Sequence, residues 1–460
     1  MTKKMIINEK IINGILKKTG KPSAGRVREI LKKAALKKGL SLEEAGYLVN
    51  LKDKKLIQEL FKTAARIKNE IYGERLVFFA PLYVSDYCVN ECEYCNFHKK
   101  NTESTRKKLS FDEIEQQVKH LINTGHKRIL LELGEDPEKN TIDYVAGVVR
   151  KIYSVRTPKG NIRRINVNIA ATTVENYRKL KKAQIGTYQL FQETYHRATF
   201  KKLHQGPKAD YDRQITAHDR AFKAGIDDVG LGVLFGMYDW RFEVLGLLSH
   251  SQYLEKKFNV GPHTISVPRF RPAPTVTYKP EYTVSDDDFL KLIAIIRLSV
   301  PYTGMIISTR ESAQIRRKAF HIGISQASAA SVTVVGGYGK AEGLGGQFEV
   351  SDERPLNEVI KNVLKDKLLP SFCTACYRLG RTGEHFMELS KPGNIHKFCR
   401  PNGLLTFAEY LEDFARTNGT YKLGNKVISH YLKEINDRDM RALVEKKLNE
   451  IRNGSRDLYF

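Results

Sequence analysis

The six cysteines are the residues best suited to chemistry, and none lies outside two tight groups: Cys88, Cys92 and Cys95, then Cys373, Cys376 and Cys399. Disulfide frameworks belong to short, cysteine-dense secreted chains, so metal ligation is the better reading here. Each group has three thiols, an odd number that pairs badly into disulfides but leaves one metal position open. The first is a CxxxCxxC with Tyr94 just before its last cysteine. Three thiolates at this spacing can hold three irons of a 4Fe–4S cluster and leave the fourth iron free for another molecule. A three-thiol zinc site is the alternative. The second group, Cys373-x2-Cys376-x22-Cys399, again offers three ligands to a cluster. With His385 or His396, which lie between them, it also offers four ligands to zinc.

Ligands so spaced need a scaffold, and the chain supplies strand-like runs, each followed by a helix-like stretch. The runs are Leu76–Val84, Arg128–Leu133, Ile165–Ala170, Gly186–Gln192, Asp228–Phe235, His263–Arg269, Met305–Thr309 and Ile324–Ser331. Between them, Phe111–Ile122, Asp210–Ala224, Arg241–Lys256 and Asp286–Leu298 have helical apolar spacing. Residues 76–337 number 262, close to the ~250 typical of a (β/α)8 TIM barrel. Catalytic groups in such barrels sit at the C-terminal ends of the strands, where Gly134, Glu135, Glu193 and Arg310 fall. The expected organisation is a helical N-terminal extension over 1–70, the barrel over 71–350 and a mostly helical C-terminal domain over 351–460 carrying the second cysteine group. The stretch Gly336 to Gly346 has no GxxxxGK[ST] pattern and reads as a mobile loop, not a phosphate cradle.

Composition fits that scheme: 41% hydrophobic and 28% charged residues describe a globular chain with a large core. No apolar run reaches the ~18 residues a membrane span needs, and the N-terminus lacks the apolar core of a signal peptide. The expectation is a cytoplasmic protein without membrane contact. The net charge is +25, and residues 1–40 hold 12 basic residues against Glu9 and Glu29. They also space Ile11, Ile12, Ile15 and Leu16, then Val27, Ile30 and Leu31, as amphipathic helices do. With no recognition motif beside it, this charge reads as a solvated face and not as a nucleic-acid site.

The CxxxCxxC motif in this setting resembles the radical S-adenosylmethionine (SAM) superfamily. The resemblance implies a 4Fe–4S cluster on Cys88, Cys92 and Cys95 whose unique iron chelates SAM, beside Tyr94. It implies that Gly134 and Glu135 hold the SAM amino group, and that Glu193 and Arg197, in Gln192-Glu-Thr-Tyr-His-Arg197, read its ribose and carboxylate. Gly225-Ile-Asp-Asp-Val-Gly-Leu-Gly232, Gly261-Pro-His-Thr-Ile-Ser-Val-Pro268, Ile307-Ser-Thr-Arg-Glu311 and Cys373-Thr-Ala-Cys-Tyr-Arg-Leu-Gly-Arg-Thr-Gly383 narrow this. Together they resemble the HydG family of tyrosine-cleaving FeFe-hydrogenase maturases, from about residue 40 to the end.

That resemblance implies cleavage of L-tyrosine to p-cresol and dehydroglycine, then conversion of dehydroglycine to iron-bound CO and cyanide at an auxiliary 4Fe–4S cluster. This second cluster would be held by Cys373, Cys376 and Cys399 and carry a labile iron bound by His263 and bridged by a free L-cysteine. Arg310, with a hydroxyl from Ser325 or Ser328, would clamp the tyrosine carboxylate. Implied partners are a ferredoxin- or flavodoxin-type electron donor and other hydrogenase maturation proteins. Two departures touch the expected site: Asn96-Phe97-His98 replaces the usual Gly-Tyr-Arg, removing a tyrosine hydroxyl, and Ala329-Ala330-Ser331-Val332 replaces Ala-Gly-Ser-Cys. The rivals are a tyrosine lyase that stops at dehydroglycine, as in thiamine-thiazole synthesis, and a basic iron–sulfur protein without turnover.

Overall fold

Runs of apolar residues long enough to be buried on both faces become parallel strands covered by helices. In the computed structural model, which describes residues 5–340 and 345–460, eight of them form a closed barrel. They are β1 (Arg75–Ser85), β2 (Arg128–Leu133), β3 (Arg164–Asn168), β4 (Tyr188–Glu193), β5 (Val229–Val233), β6 (Thr264–Ser266), β7 (Gly304–Ile307) and β8 (Gln326–Ser328). Each pairs in parallel with the next, and β8 returns to β1 with Val77 opposite Gln326. All eight sequence-derived runs overlap one of these strands, and the helices Phe111–Asn123, Trp240–Phe258 and Asp286–Ser299 fall where apolar spacing placed them. Asp210–Ala224 instead forms two helices, Tyr211–Ile215 and Ala217–Lys223. The Thr216 hydroxyl donates back to the Asp212 carbonyl at the break, a contact that bends helices.

Four helices precede the barrel: α1 (Glu9–Lys18), α2 (Ala24–Ala34), α3 (Leu42–Val49) and α4 (Lys54–Tyr72). Asn8, Ser23, Ser41 and Asp53 cap their N-termini, Ser41 through a reciprocal box with Glu44. α4 buries Leu56, Leu60, Ala64, Ile67 and Ile71 at helical spacing against Asp286–Ser299, so the extension is packed onto the barrel. Positions 1–4, and 341–344 of the Gly336–Gly346 loop, lie outside the described residues. Among the described residues no helix is long and apolar enough to cross a membrane.

Downstream, a further strand, β9 (Leu369–Ser371), joins the barrel sheet. β2 begins pairing with β1 only at Ala80, and β9 occupies the free edge below it, opposite Arg75–Val77. The long helix His396–Phe414 packs behind β9 and is fastened to the barrel by charge. Glu409 accepts both guanidinium nitrogens of Arg163, one at 2.5 Å and one at 3.1 Å, and Lys127 stands 3.7 Å away, all three buried.

Candidate active site

The first cysteine group occupies the loop leaving the C-terminal end of β1. The loop is tied to its neighbours through backbone: Val89 N–H donates to the Glu135 carbonyl (2.7 Å), and Cys92 pairs with His204 in a short antiparallel ribbon. The Tyr94 hydroxyl donates to His204 Nε2 (2.7 Å), whose Nδ1–H donates to the Phe200 carbonyl. Burial holds His204 neutral, down at about 3. This pin fixes Tyr94 in the cavity wall. Cys88, Cys92 and Cys95 are free thiols lining one cavity with Gly134, Glu193 and Lys208. Burial raises the Cys92 thiol and pushes Cys95 up to about 11, so a metal bound by these two would displace their protons.

Gly134 is glycine for a reason the structure makes plain. A Cβ there would meet the Tyr87 carbonyl oxygen at 2.4 Å and Cys88 Cβ at 3.0 Å, so its bareness lets the cysteine loop lie on the end of β2. Glu135 accepts from Asn90 of that loop (2.7 Å) and pairs with Arg213. Glu193 ends β4 with φ +65°, at a register shift against β5. Left-handed backbone at a glutamate costs free energy, and such strain gathers at functional sites. It aims the carboxylate at Lys208, 2.8 Å away.

Arg197 is elsewhere. Its guanidinium lies over the Tyr211 ring (4.0 Å) and pairs with exposed Asp212, outside the cavity, so the expected clamp for a carboxylate is not this residue. Two cations that sequence reasoning missed face inward instead: Lys208, and Arg213, which lines the adjoining space with Glu135 and Ala171.

A second cavity fills the upper barrel lumen and shares Tyr94, Cys95, Glu132, Asn168 and Glu193 with the first. Arg310 stands in its wall with the guanidinium 3.3 Å over the Phe348 ring. Burial lowers Arg310 from its usual value, while Tyr83, Glu193 and Glu132 raise it again. Ser328 lines the same wall, its Oγ accepting from Thr309 N–H at 3.2 Å. Ser325 does not. It precedes β8 at the opposite end of the barrel, its buried hydroxyl without a partner among the described residues, and three residues from Ser328 it also falls on the other face of an extended strand. Asn96 is spent on Gly346 and Thr275, and His98 on Glu91 of its own loop. Phe97 packs edge-on against Tyr83, whose hydroxyl donates to Gln347 (2.9 Å) in the lumen wall. A tyrosine hydroxyl is thus present, supplied from β1 and not from the cysteine loop.

The second cysteine group follows β9 and so lies at the N-terminal end of the barrel. Cys373, Cys376 and Cys399 line one cavity with His263, Arg75 and Arg128. Arg75 Nη2 donates to Cys399 Sγ at 3.1 Å, and burial, reinforced by its two companion thiols, pushes Cys376 up to about 12. His263 opens β6 with its ring stacked on Phe386 (4.0 Å) and Nδ1 3.1 Å from the buried Asp228 carboxylate. His385 and His396 do not line this cavity. Among the described residues no group of three or more His, Cys, Asp or Glu is gathered tightly enough to hold a single metal ion.

Residues 82–245 match the radical SAM superfamily model and residues 266–368 the biotin and thiamin synthesis associated domain. A 2-iminoacetate synthase of Escherichia coli is 30% identical over 330 residues, 71% of this chain and 85% of that enzyme. A crystal structure of HydG, a maturase of the FeFe-hydrogenase, superposes with a TM-score of 0.96 at 52% identity, over 99% of this chain and 100% of that one. HydG from Carboxydothermus hydrogenoformans gives 0.86 at 40% identity, over 97% and 99%.

Proposed function

This chain belongs to the HydG family of FeFe-hydrogenase maturases within the radical SAM superfamily, and on that footing we propose that it cleaves L-tyrosine to p-cresol and dehydroglycine, then turns dehydroglycine into iron-bound CO and cyanide. The observation that carries the reading is the placement of two three-thiol groups at opposite ends of one barrel, with a pocket holding Arg310 between them.

Cys88, Cys92 and Cys95 fit a 4Fe–4S cluster, being free thiols spread around a cavity that opens toward Gly134, Glu193 and Lys208. A cluster and SAM bound there would supply the radical chemistry that cleaves the tyrosine side chain. Glu135 and Glu193 offer acceptors to the amino and ribose groups of SAM, and Lys208 with Arg213 offers positive charge to its carboxylate. Arg310 and Ser328 hold the carboxylate of tyrosine. The closed barrel wall excludes water that would quench a radical. Electrons come from an acidic ferredoxin- or flavodoxin-type donor, which a chain of net charge +25 would attract.

At the other end, Cys373, Cys376 and Cys399 hold the auxiliary cluster. His263, with Nδ1 3.1 Å from Asp228, would be the imidazole ligand of a labile iron there, with a free cysteine as a further ligand. Zinc is the poorer fit, because His385 and His396 stand outside the cavity. A lyase that stops at dehydroglycine would have no use for this second group. The test is anaerobic reconstitution with iron, sulfide, SAM, L-tyrosine and reductant, with assays for p-cresol and CO. Tyrosine-independent SAM cleavage without p-cresol would overturn the reading.

A further inference from the structure

Charge pairing around the lumen leaves two groups over. Glu193 is matched by Lys208 and Glu135 by Arg213, but among the described residues neither Glu132 nor Arg310 makes an ion pair. Both line the lumen cavity, and Glu132 also lines the cavity of the first cysteine group, so its carboxyl stands where the two meet. Asn168 Nδ2 donates to Glu132 Oε2 at 3.0 Å, and Oε1 has no protein donor among the described residues. Half-buried groups of opposite charge type, neither in an ion pair among the described residues, suit a ligand that carries both signs. An α-amino acid zwitterion is such a ligand, with its carboxylate on Arg310 and its ammonium on Glu132.

Resting on the tyrosine-lyase reading, we propose that Glu132 is the base that takes a proton from the ammonium group of bound tyrosine. An ammonium nitrogen has no lone pair to stabilise the radical left by hydrogen abstraction, whereas a free amine has. In the step, one N–H bond breaks and its electron pair stays on nitrogen. The proton adds to Glu132 Oε1, giving a neutral carboxylic acid and an –NH2 group facing the first cavity. Nothing is oxidised or reduced.

The surroundings tune this carboxyl for the task. Burial raises Glu132 to about 8, Arg310 and the Asn168 hydrogen bond oppose the rise, and Glu193 adds to it. Tyr83 from β1 also faces the site, and burial keeps it a neutral phenol. A base with so high a proton affinity can deprotonate an ammonium group that a carboxylate in water could not. The ionised, competent form exists above about pH 8, so kcat/KM for tyrosine falls as the pH drops below that value.

The test uses reconstituted full-length protein with SAM, tyrosine and reductant, following p-cresol and 5′-deoxyadenosine across neutral and alkaline pH. Glu132→Gln lowers p-cresol formation by ~100-fold or more at neutral pH and removes the limb near 8, while 5′-deoxyadenosine still forms. Asn168→Ala removes a donor that favours the ionised carboxyl, so its limb moves to higher pH. A Glu132→Gln protein with the parent's p-cresol profile overturns the proposal. If that variant loses iron or SAM binding, Asn168→Ala decides, and an unmoved limb overturns it. A parent protein that forms no p-cresol defeats the tyrosine-lyase reading itself, whereas an active parent beside an unaffected Glu132→Gln defeats only this inference.

Discussion

Replacing Arg310 by lysine keeps the charge in the lumen but removes the planar fork. The guanidinium rests 3.3 Å over Phe348 and, among the described residues, pairs with no carboxylate, so its plane is set by packing. A carboxylate docking on it gains two parallel charge-assisted hydrogen bonds, and an ammonium can supply at most one of them in that geometry. Losing one such bond costs about 1.5–3 kcal/mol. At 1.4 kcal/mol per decade, the KM for tyrosine rises roughly 10- to 100-fold. Because the bond is made in ground and transition states alike, kcat at saturation stays near the parent's. The assay is steady-state p-cresol formation against tyrosine concentration, with 5′-deoxyadenosine measured in parallel to show that SAM is still cleaved. An unchanged KM would mean that Arg310 serves only to pack against Phe348, and the clamp would have to be sought elsewhere in the lumen.

The two ends of the barrel should separate under mutation. Cys88→Ala abolishes 5′-deoxyadenosine and p-cresol together, whereas Cys373→Ala with Cys376→Ala leaves p-cresol while infrared bands of iron-bound CO and cyanide disappear. Gly134→Ala drives a Cβ into the Tyr87 carbonyl, backbone that cannot swing aside, so SAM affinity measured by equilibrium dialysis falls while thermal unfolding changes little. Glu409→Ala leaves buried Arg163 only Asp457 and Lys127 only the Lys159 carbonyl, so it costs stability but less than the ~3–5 kcal/mol of a fully stranded buried charge. Hydrogen exchange in His396–Phe414 should quicken before that of the barrel strands.

Much of this architecture could be read from the chain. Strands buried on both faces must be apolar throughout, and Ile129–Leu131 or Met305–Ile307 can scarcely be anything else between helical stretches. The cysteine groups were legible because thiols are scarce and their spacing is chemical. Which cation turns inward was not legible: Arg197, Lys208 and Arg213 fall within one short segment, and only packing on Tyr211 turns the first outward. Two further features are legible in the chain. Glu132 interrupts the apolar run of β2 in phase with Arg128 and Leu130, which face the interior cavities. Ser325 and Ser328 differ by an odd number, which already denies them a common face. β9, three residues long and containing Pro370, gave no periodic pattern to find.

β1 is also a ruler. At its first residue Arg75 touches Cys399, and just past its last, Ser85, the chain reaches Cys88. Eleven residues of extended chain set these points roughly 30 Å apart. On the proposed reading, a compound made at one thiol group and used at the other would have to cross that length as a free molecule, and the barrel wall that parts the two ends would also be its conduit.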